Sequence, residues 1–493
     1  MKQIIPWISI LIIATFLLTF KFLKVPPGIE TDEGAIAYNA ALISKTLHDQ
    51  NGRFLPFFIL SSDKIDWKQP VTIYSSAILF KLFGTSLSVF KLVNVFTALA
   101  SLLMMSLVLR ELFTEKLALI GSIIFITTPI FIIASRIGTE AITPLFFATS
   151  WLLSIVYFQK QKKSLFLVTT ALSLGIGFYS YKGMRLIVPP WTILTGIYLY
   201  LSDTRKARTN LTTFLITLLP FFLITPVLEN KYAGAVFDRR QFTLESYRHY
   251  IYYWFSNLEP SLIFVRGDMG RIFSVEKFGT FSLGALPFFL IGIKKVTEKN
   301  NFYTFVLIAF LITPIFFGLS GAMGDGHRLV AMMPAYIIIT TLGAGVLFEK
   351  STFKNITSRI IFTSLIIFFL AHTTNFIRYY FFVYPNLRET REAFQNTFNE
   401  AFYKLSQISS NNHLTPYIQD DVYYSHGEGI KFFETAYFKN PLLIWKPGQN
   451  LPPKSILLTQ IKQIENLKTI EADISPLYIL ENEKTISPDS IRN

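Results

Sequence analysis

The chain has 493 residues, of which 51% are hydrophobic and 16% aromatic, and only 16% are charged. Soluble globular proteins carry about a quarter charged residues, so this composition excludes an ordinary soluble domain and indicates a polytopic membrane protein. The net charge of +14 does not indicate nucleic-acid binding, because Lys and Arg stand in short clusters between apolar runs and form no basic stripe. The chain contains no cysteine, which excludes disulfides, thiolate metal sites and a thiol nucleophile.

The first apolar run, residues 4–23, has the length of a membrane span. It is long for the apolar part of a signal peptide, and "FKFLKVPPG" contains no cleavage site of small residues. We therefore predict a retained first span. Ten further runs are long enough to cross a bilayer, at 89–109, 117–134, 141–158, 164–181, 184–201, 210–228, 278–293, 302–320, 329–348 and 358–378.

Basic residues in the loops predict the topology of these eleven spans. Short Lys- and Arg-containing loops are expected on the cytoplasmic side, and they lie at 110–116, 159–163, 202–210, 294–301 and 349–359. They alternate correctly with the spans only if the N-terminus is cytoplasmic and the C-terminus extracytoplasmic. A span at 70–83 would invert every later loop, so we expect an interfacial helix there.

Polarity divides the chain into two predicted domains. Residues 1–384 form a transmembrane domain whose first extracytoplasmic loop, 24–88, carries interfacial helices. The more polar residues 385–493 combine a helix-like run at 388–408 with strand-like runs at 420–425, 455–461 and 476–480. This pattern predicts a small extracytoplasmic α/β domain.

Ionisable residues gather at the outer ends of the predicted helices, where such groups are usually functional. They are Asp32, Glu33, Lys68, Arg136, Glu140, Lys182, Arg185, Arg266, Asp268, His327 and Arg328. Acids and bases on one face suit a reaction between an anionic lipid and a polar acceptor. An enzyme on that side would use a donor already activated on a lipid phosphate, because nucleotide donors are not expected outside the cytoplasm.

Several motifs in order give the chain a family resemblance. "TDEGAIAYNA" follows the first span, "DWKQPVTIYSSAILFKLFG" resembles an H/K-P-P-L stretch with Gln69 in place of the first Pro, and "SRIGTEAITPLFF" resembles an Arg-x-x-x-acid motif. "FVRGDMGRIFSVEKFGTFSLGALPFFLIGI" and "GDGHRLVAMMPAYIIITTLGAG" look like later blocks. Together they resemble the membrane glycosyltransferases of family 39, the protein O-mannosyltransferase and lipid A aminoarabinose transferase type, in its bacterial branch. The resemblance implies an all-α polytopic protein with the GT-C fold.

The resemblance also implies an inverting transfer of a sugar from a polyprenyl-phosphate-linked donor to a hydroxyl acceptor. Asp32 would be the catalytic base, and Glu33 would orient the acceptor or tune Asp32. Fixed cations would stabilise the leaving phosphate, and for these we expect Arg136, Lys182, His327 and Arg328. Lys68, Glu140 and Arg185 are possible substrate-binding residues, although Lys68 could simply pair with Asp66.

Other interpretations of the same residues stay open. Asp32 and Glu33 could only cap a helix N-terminus, and each cation could be an interfacial anchor. Arg266 and Asp268 could form a structural ion pair. Asp32, Glu33, Asp63 and Asp66 could in principle hold a divalent ion, but departure of a phosphate without a nucleotide does not demand one, so we expect no metal and no cofactor besides the donor.

Two other functions also stay open at this point: a transporter or flippase of lipid-linked sugars, and an inactive GT-C protein with an assembly role. A transporter would favour charges near the midplane and two related halves, which the sequence does not show. The expected partners are membrane lipids, the donor lipid and an acceptor that is a protein, a glycan or another lipid.

Overall fold

The computed structural model describes residues 4–61, 66–237, 247–319, 324–352, 356–394, 398–425, 427–471 and 477–482. These residues form two compact units. The helical unit comprises residues 1–22, 69–72 and 93–384, and the mixed unit comprises residues 23–68, 73–92 and 385–493.

Helices account for most of the described chain. In the first half they are α1 (Ile5–Thr19), α2 (Thr31–Thr46), α3 (Pro70–Phe83), α4 (Leu87–Leu112), α5 (Glu115–Thr127), α6 (Pro129–Ala134), α7 (Thr143–Gln161), α8 (Ser164–Phe178), α9 (Met184–Ser202), α10 (Ala207–Leu223) and α11 (Thr225–Lys231). In the second half they are α12 (Tyr247–Asn257), α13 (Leu286–Val296), α14 (Asn301–Gly318), α15 (Met333–Thr352), α16 (Ile356–Arg378), α17 (Arg388–Ala393), α18 (Phe398–Asn411), α19 (Asp420–Ser425) and α20 (Gly427–Tyr437). Short 3-10 or π turns lie at Glu140–Ile142, Ser261–Val265, Leu283–Ala285, Gly326–Met332, Tyr379–Val383 and Tyr384–Asn386.

Seven helical stretches of the described residues are long and apolar enough to cross a membrane. They are Leu87–Leu112, Glu140–Gln161, Met184–Ser202, Ala207–Lys231, Asn301–Gly318, Gly326–Glu349 and Ile356–Asn386. The other four predicted spans also contain helix, but α1, α8 and α13 have fewer than 18 residues, and the span at 117–134 is divided between α5 and α6 at Pro129. The prediction of a multi-pass, mainly helical protein is confirmed.

Aromatic stacking and close helix contacts hold the helical unit together. Trp151 stacks on Trp191 with ring centroids 4.6 Å apart, and Tyr336 stacks on Phe281 at 4.2 Å. Helices α13 and α15 approach so closely that a Cβ on Gly343 would lie 1.8 Å from the Phe288 carbonyl oxygen. Small residues permit such approach between membrane helices, where packing rather than water drives association.

The mixed unit contains a five-stranded sheet with the order β4-β3-β5-β7-β6. Its strands are β3 (Thr415–Gln419), β4 (Leu443–Trp445), β5 (Ser455–Thr459), β6 (Lys468–Glu471) and β7 (Tyr478–Asn482), and a separate hairpin pairs β1 (Ile59–Ser61) with β2 (Asp66–Lys68). Strand β3 is parallel to β4 and β5, and β7 is antiparallel to β5 and β6. The predicted strands at 455–461 and 476–480 are present within a few residues of their expected bounds.

One buried apolar core joins the first outer loop to the C-terminal segment within the mixed unit. Ile36 of α2 and Phe80 of α3 belong to the same core as Phe402, Phe432 and Ile456. The loop and the tail therefore bury their apolar faces together. Helix α3 occupies the stretch predicted as an interfacial helix and begins at Pro70, a favoured first helical residue.

The prediction of a strand at 420–425 was wrong, because this stretch forms helix α19. Asp420 and Asp421 stand in its first turn, where carboxylates interact favourably with the helix dipole. The run "VYYS" favours a strand by composition, but the two acids before it mark a helix start.

Candidate active site

The acids that follow the first apolar run form a capping box at the start of α2. The Glu30 carboxylate accepts hydrogen bonds from the backbone N–H groups of Asp32 (2.9 Å) and Glu33 (2.8 Å). In return the Glu33 carboxylate accepts the Glu30 N–H at 3.0 Å. This reciprocal arrangement satisfies the first N–H groups of the helix, with Glu30 as the N-cap. The side chain of Asp32 does not serve as the cap.

The Asp32 side chain takes no part in the capping box and is 55% exposed. Lys68, which is only 3% exposed, forms a salt bridge with Asp32 and a second one with Asp66 at 2.8 Å. The ammonium is thus held between two carboxylates and orients that of Asp32. An oriented, accessible carboxylate has the position that a general base needs.

Glu33 makes a second, fully buried ion pair. Its carboxylate lies 3.6 Å from the ammonium of Lys91 on α4, and both side chains are completely shielded from solvent. The ammonium also donates to the carbonyl of Gly28 at 2.7 Å. Lys91 therefore connects α4 to the start of α2, and removal of either charge would take away the opposite charge 3.6 Å from a buried ion.

Glu30 is the third carboxyl group of this cluster, and burial changes its protonation. Loss of hydration, reinforced by the negative charges of Asp32 and Glu33, raises the pKa of Glu30 to about 8. The raised pKa favours the neutral form of Glu30, which lessens the repulsion among three acids within four residues. The sequence motifs indicated neither Glu30 nor Lys91 as a site residue.

In the helical unit, Gln69 connects two of the predicted substrate-binding residues. The Glu140 carboxylate accepts the backbone N–H of Gln69 at 3.0 Å, and Arg185 donates to the Gln69 side-chain carbonyl. Arg185 also donates to the backbone carbonyls of Ala235 and Val236. A proline at position 69 would have no N–H for Glu140, so the departure from the family pattern supplies a hydrogen bond.

The structure corrects the role predicted for Arg136. Its guanidinium is completely buried, and its two terminal nitrogens donate to the carbonyls of Leu17 (3.0 Å), Leu18 (2.7 Å), Phe20 (2.7 Å) and Lys21 (3.2 Å). These are the last carbonyls of α1 and the turn after it, which have no partners within the helix. With its terminal N–H groups used in this way, Arg136 caps α1 and is not suited to bind a donor phosphate.

We expect Arg136→Lys to impair folding and leave donor binding intact. A lysine has three N–H donors on one nitrogen and cannot serve four carbonyls, so the variant should lose about 2 kcal/mol or more of stability. Thermal unfolding of the purified variant measures this, with Arg110→Lys as the control because Arg110 is half exposed. An Arg136→Lys variant with normal stability and weakened donor binding would show that Arg136 binds the donor phosphate.

Two cations predicted for the donor phosphate lie in the 3-10 turn that precedes α15. The Asp268 carboxylate accepts the N–H groups of Gly326 and Gly270, both at 2.9 Å, and lies 3.5 Å from Nδ1 of His327. Arg328 is partly buried and pairs through Nε with Asp325 at 2.7 Å. Asp268 thus fixes the backbone from which His327 and Arg328 project.

The remaining predicted groups have separate positions. The suggested Arg266–Asp268 ion pair was wrong, because Arg266 pairs with Glu259 at 3.5 Å and Asp268 is used by the loop before α15. Lys182 is half-buried in the turn between α8 and α9. Asp32 belongs to the mixed unit, whereas Lys182 and Arg328 belong to the helical unit.

The residues considered for a metal do not gather into a metal site in the part of the chain that the structure describes. No group of three or more His, Asp or Glu side chains there could hold an ion. Asp32 and Asp66 instead share the ammonium of Lys68. Asp63 lies outside the described residues.

The chain is similar to known proteins both in sequence and in structure. Residues 68–229 match the family model of the dolichyl-phosphate-mannose-protein mannosyltransferases. No protein among the curated sequences matches this chain. The structure is similar to that of ArnT from Cupriavidus metallidurans bound to undecaprenyl phosphate, with 10% identity and a TM-score of 0.56, covering 97% of this chain and 98% of ArnT.

The chain has the GT-C fold. Its resemblance to the mannosyltransferase family is supported over residues 68–229. The apo form of ArnT gives the same result at 11% identity and a TM-score of 0.57, with 97% and 98% of the chains covered. The oligosaccharyltransferase of Archaeoglobus fulgidus is similar over 87% of this chain and 64% of its own, with 13% identity and a TM-score of 0.51. Because these structures are only 10–13% identical to this chain, the similarity shows a shared fold, the GT-C fold.

Proposed function

We propose that this GT-C protein is an inverting glycosyltransferase that moves a sugar from a polyprenyl-phosphate-linked donor to a hydroxyl acceptor. The observation that carries the proposal is Asp32, an exposed carboxylate whose orientation is fixed by Lys68 and whose helix is capped by other residues. A carboxylate needed only for capping would lie where Glu30 lies.

The reaction is a single displacement at the anomeric carbon. Asp32 takes the proton of the acceptor hydroxyl while that oxygen forms a bond to the anomeric carbon. The bond from the anomeric carbon to the phosphate oxygen breaks, and polyprenyl phosphate leaves with the electron pair. Arg328, His327 and Lys182 stabilise the charge on the leaving phosphate, a role from which Arg136 is now removed. No metal takes part in this scheme.

The reaction takes place on the extracytoplasmic face, with the N-terminus cytoplasmic and the C-terminus outside. The alternation of basic loops supports this orientation. We expect an alkaline phosphatase fused to the C-terminus to be active and one fused after Lys163 to be inactive. The reverse pattern of activities would place Asp32 in the cytoplasm and contradict the use of a lipid-linked donor outside.

Transfer by the purified protein tests the proposed function. The protein is incubated with a panel of radiolabelled polyprenyl-phosphate sugars and crude acceptor membranes. We expect one donor to lose its label to an acceptor as free polyprenyl phosphate appears. Label that crosses the bilayer of sealed vesicles while still attached to its lipid would indicate a flippase instead. Absence of both transfer and translocation across the panel would favour an inactive assembly protein.

A further inference from the structure

Helix α20 of the C-terminal segment contacts the first turn of α2, which carries the proposed base Asp32. Gly34, two residues after Asp32, faces Gly429, and a Cβ on Gly34 would lie 2.7 Å from both the Cα and the N of Gly429. These are backbone atoms, which cannot rotate away as a side chain can. The two helices are in backbone contact at this point, and only glycine at position 34 allows it.

A chain of hydrogen bonds fixes the same pair of helices. Nε2 of Gln50 donates a hydrogen bond to the carboxylate of Glu428 at 2.8 Å. The backbone N–H of Gln50 donates to Asn39, a fully buried residue of α2, at 3.0 Å. Glu428 immediately precedes Gly429, so the backbone contact and the polar chain hold the same turn of α20.

Further contacts continue along the two helices. The ammonium of Lys45, near the end of α2, donates to the carbonyl of Thr435 on α20 at 2.8 Å. Ile36 and Ala40 of α2 share the buried core with Ile430 and Phe432 of α20. Helix α2 is therefore held against α20 near both of its ends, and its first turn carries Asp32.

We propose that helix α20 of the C-terminal segment positions the catalytic base, with Gly429 and Glu428 as positioning residues for Asp32. The inference rests on the proposed function of Asp32 and extends it to a segment that was predicted as a separate domain. A carboxylate base acts only within hydrogen-bond reach of the acceptor hydroxyl, and displacement by about 1 Å can reduce turnover about 10²-fold.

Gly34→Ala tests the inference by forcing α2 away from α20. We expect kcat to fall about 10²-fold. The affinity and stoichiometry of donor binding should stay unchanged, because the residues proposed to hold the donor phosphate are not on α2. Gly196→Ala is the matched control, since its Cβ would lie at an ordinary 3.6 Å from Leu211. Full kcat in a folded Gly34→Ala protein would overturn the inference.

If Gly34→Ala does not fold, Glu428→Ala tests the same inference. This substitution only removes atoms, so it introduces no steric clash between α2 and α20. It should lower kcat without changing donor binding, and Glu428→Gln, which keeps an acceptor for Gln50, should restore most of the activity. Wild-type kcat in Glu428→Ala would contradict the inference.

Asp32→Asn, measured in parallel, separates the two claims. If wild-type protein transfers no sugar, the proposed function fails. If Asp32→Asn transfers sugar normally, the role of Asp32 as the base fails, and the positioning role fails with it. If Asp32→Asn is inactive while the Gly34 and Glu428 variants have full kcat, only the positioning role fails.

Discussion

Asp32→Asn is expected to reduce sugar transfer about 10²-fold or more and to leave the protein folded. The substitution keeps the size of the side chain but removes the proton acceptor. Folding should be little affected, because Glu30 supplies the helix cap and the Asp32 side chain is half exposed. Lys68, which loses one partner, keeps its salt bridge with Asp66. Turnover and thermal unfolding of the purified variant give the two measurements.

Asp66→Asn provides a matched control for this variant. It makes the same chemical change in the other carboxylate paired with Lys68, so it removes a salt bridge without removing the base. We expect Asp66→Asn to keep most of the activity. Equal losses in the two variants would mean that the ion pairs of Lys68 matter and that Asp32 has no role of its own.

Lys91→Met is expected to destabilise the protein by about 3–5 kcal/mol, the usual cost of removing one partner of a buried ion pair. Methionine fills a similar volume, so the main effect is the loss of a positive charge beside the fully buried carboxylate of Glu33. Chemical or thermal unfolding of the purified variant measures the loss, and a reduced amount of folded protein in the membrane should accompany it.

The double variant Lys91→Met with Glu33→Gln separates the effect of the lost ion pair on stability from the effect of altered packing. Glutamine removes the buried negative charge but keeps an acceptor for the N–H of Glu30. It should recover a large part of the stability lost in Lys91→Met. A double variant no more stable than Lys91→Met would show that lost packing, and not the charge of Glu33, causes the effect.

Apolar runs in the sequence were sufficient to predict a mainly helical, multi-pass membrane protein. Each apolar run predicted as a span contains helix, because about 20 apolar residues in lipid can satisfy their backbone groups only within a helix or a closed barrel. The ends of individual helices were predicted less well: the run predicted as one span at 117–134 is divided into two helices before Pro129. Proline there removes a donor and its ring obstructs the preceding turn.

The roles of single charged residues were harder to predict. Arg136 matched a motif and lay at an outer helix end, but the sequence does not show that the end of α1 needs a donor for its carbonyls. That partner lies more than 100 residues away along the chain. Lys91 could have been found, since it is a lone lysine at the start of an apolar run, where a charge is costly unless it is paired.

The contact between α2 and α20 illustrates what local patterns omit. Neither Gly34 nor Gly429 stands in a turn motif, and both lie within helices. Their importance comes from tertiary contact between segments nearly 400 residues apart in sequence. The polarity of the tail indicated a separate domain, whereas its apolar residues share a core with the first outer loop.

The anomeric configuration of the product tests most directly the claim that Asp32 activates the acceptor for a single displacement. The glycosylated product of a homogeneous polyprenyl-phosphate sugar is isolated, and its anomeric linkage is compared with that of the donor by NMR. Direct attack by the acceptor oxygen predicts inversion in every product molecule. Retention would require two displacements through a glycosyl intermediate and would contradict a role for Asp32 as the general base.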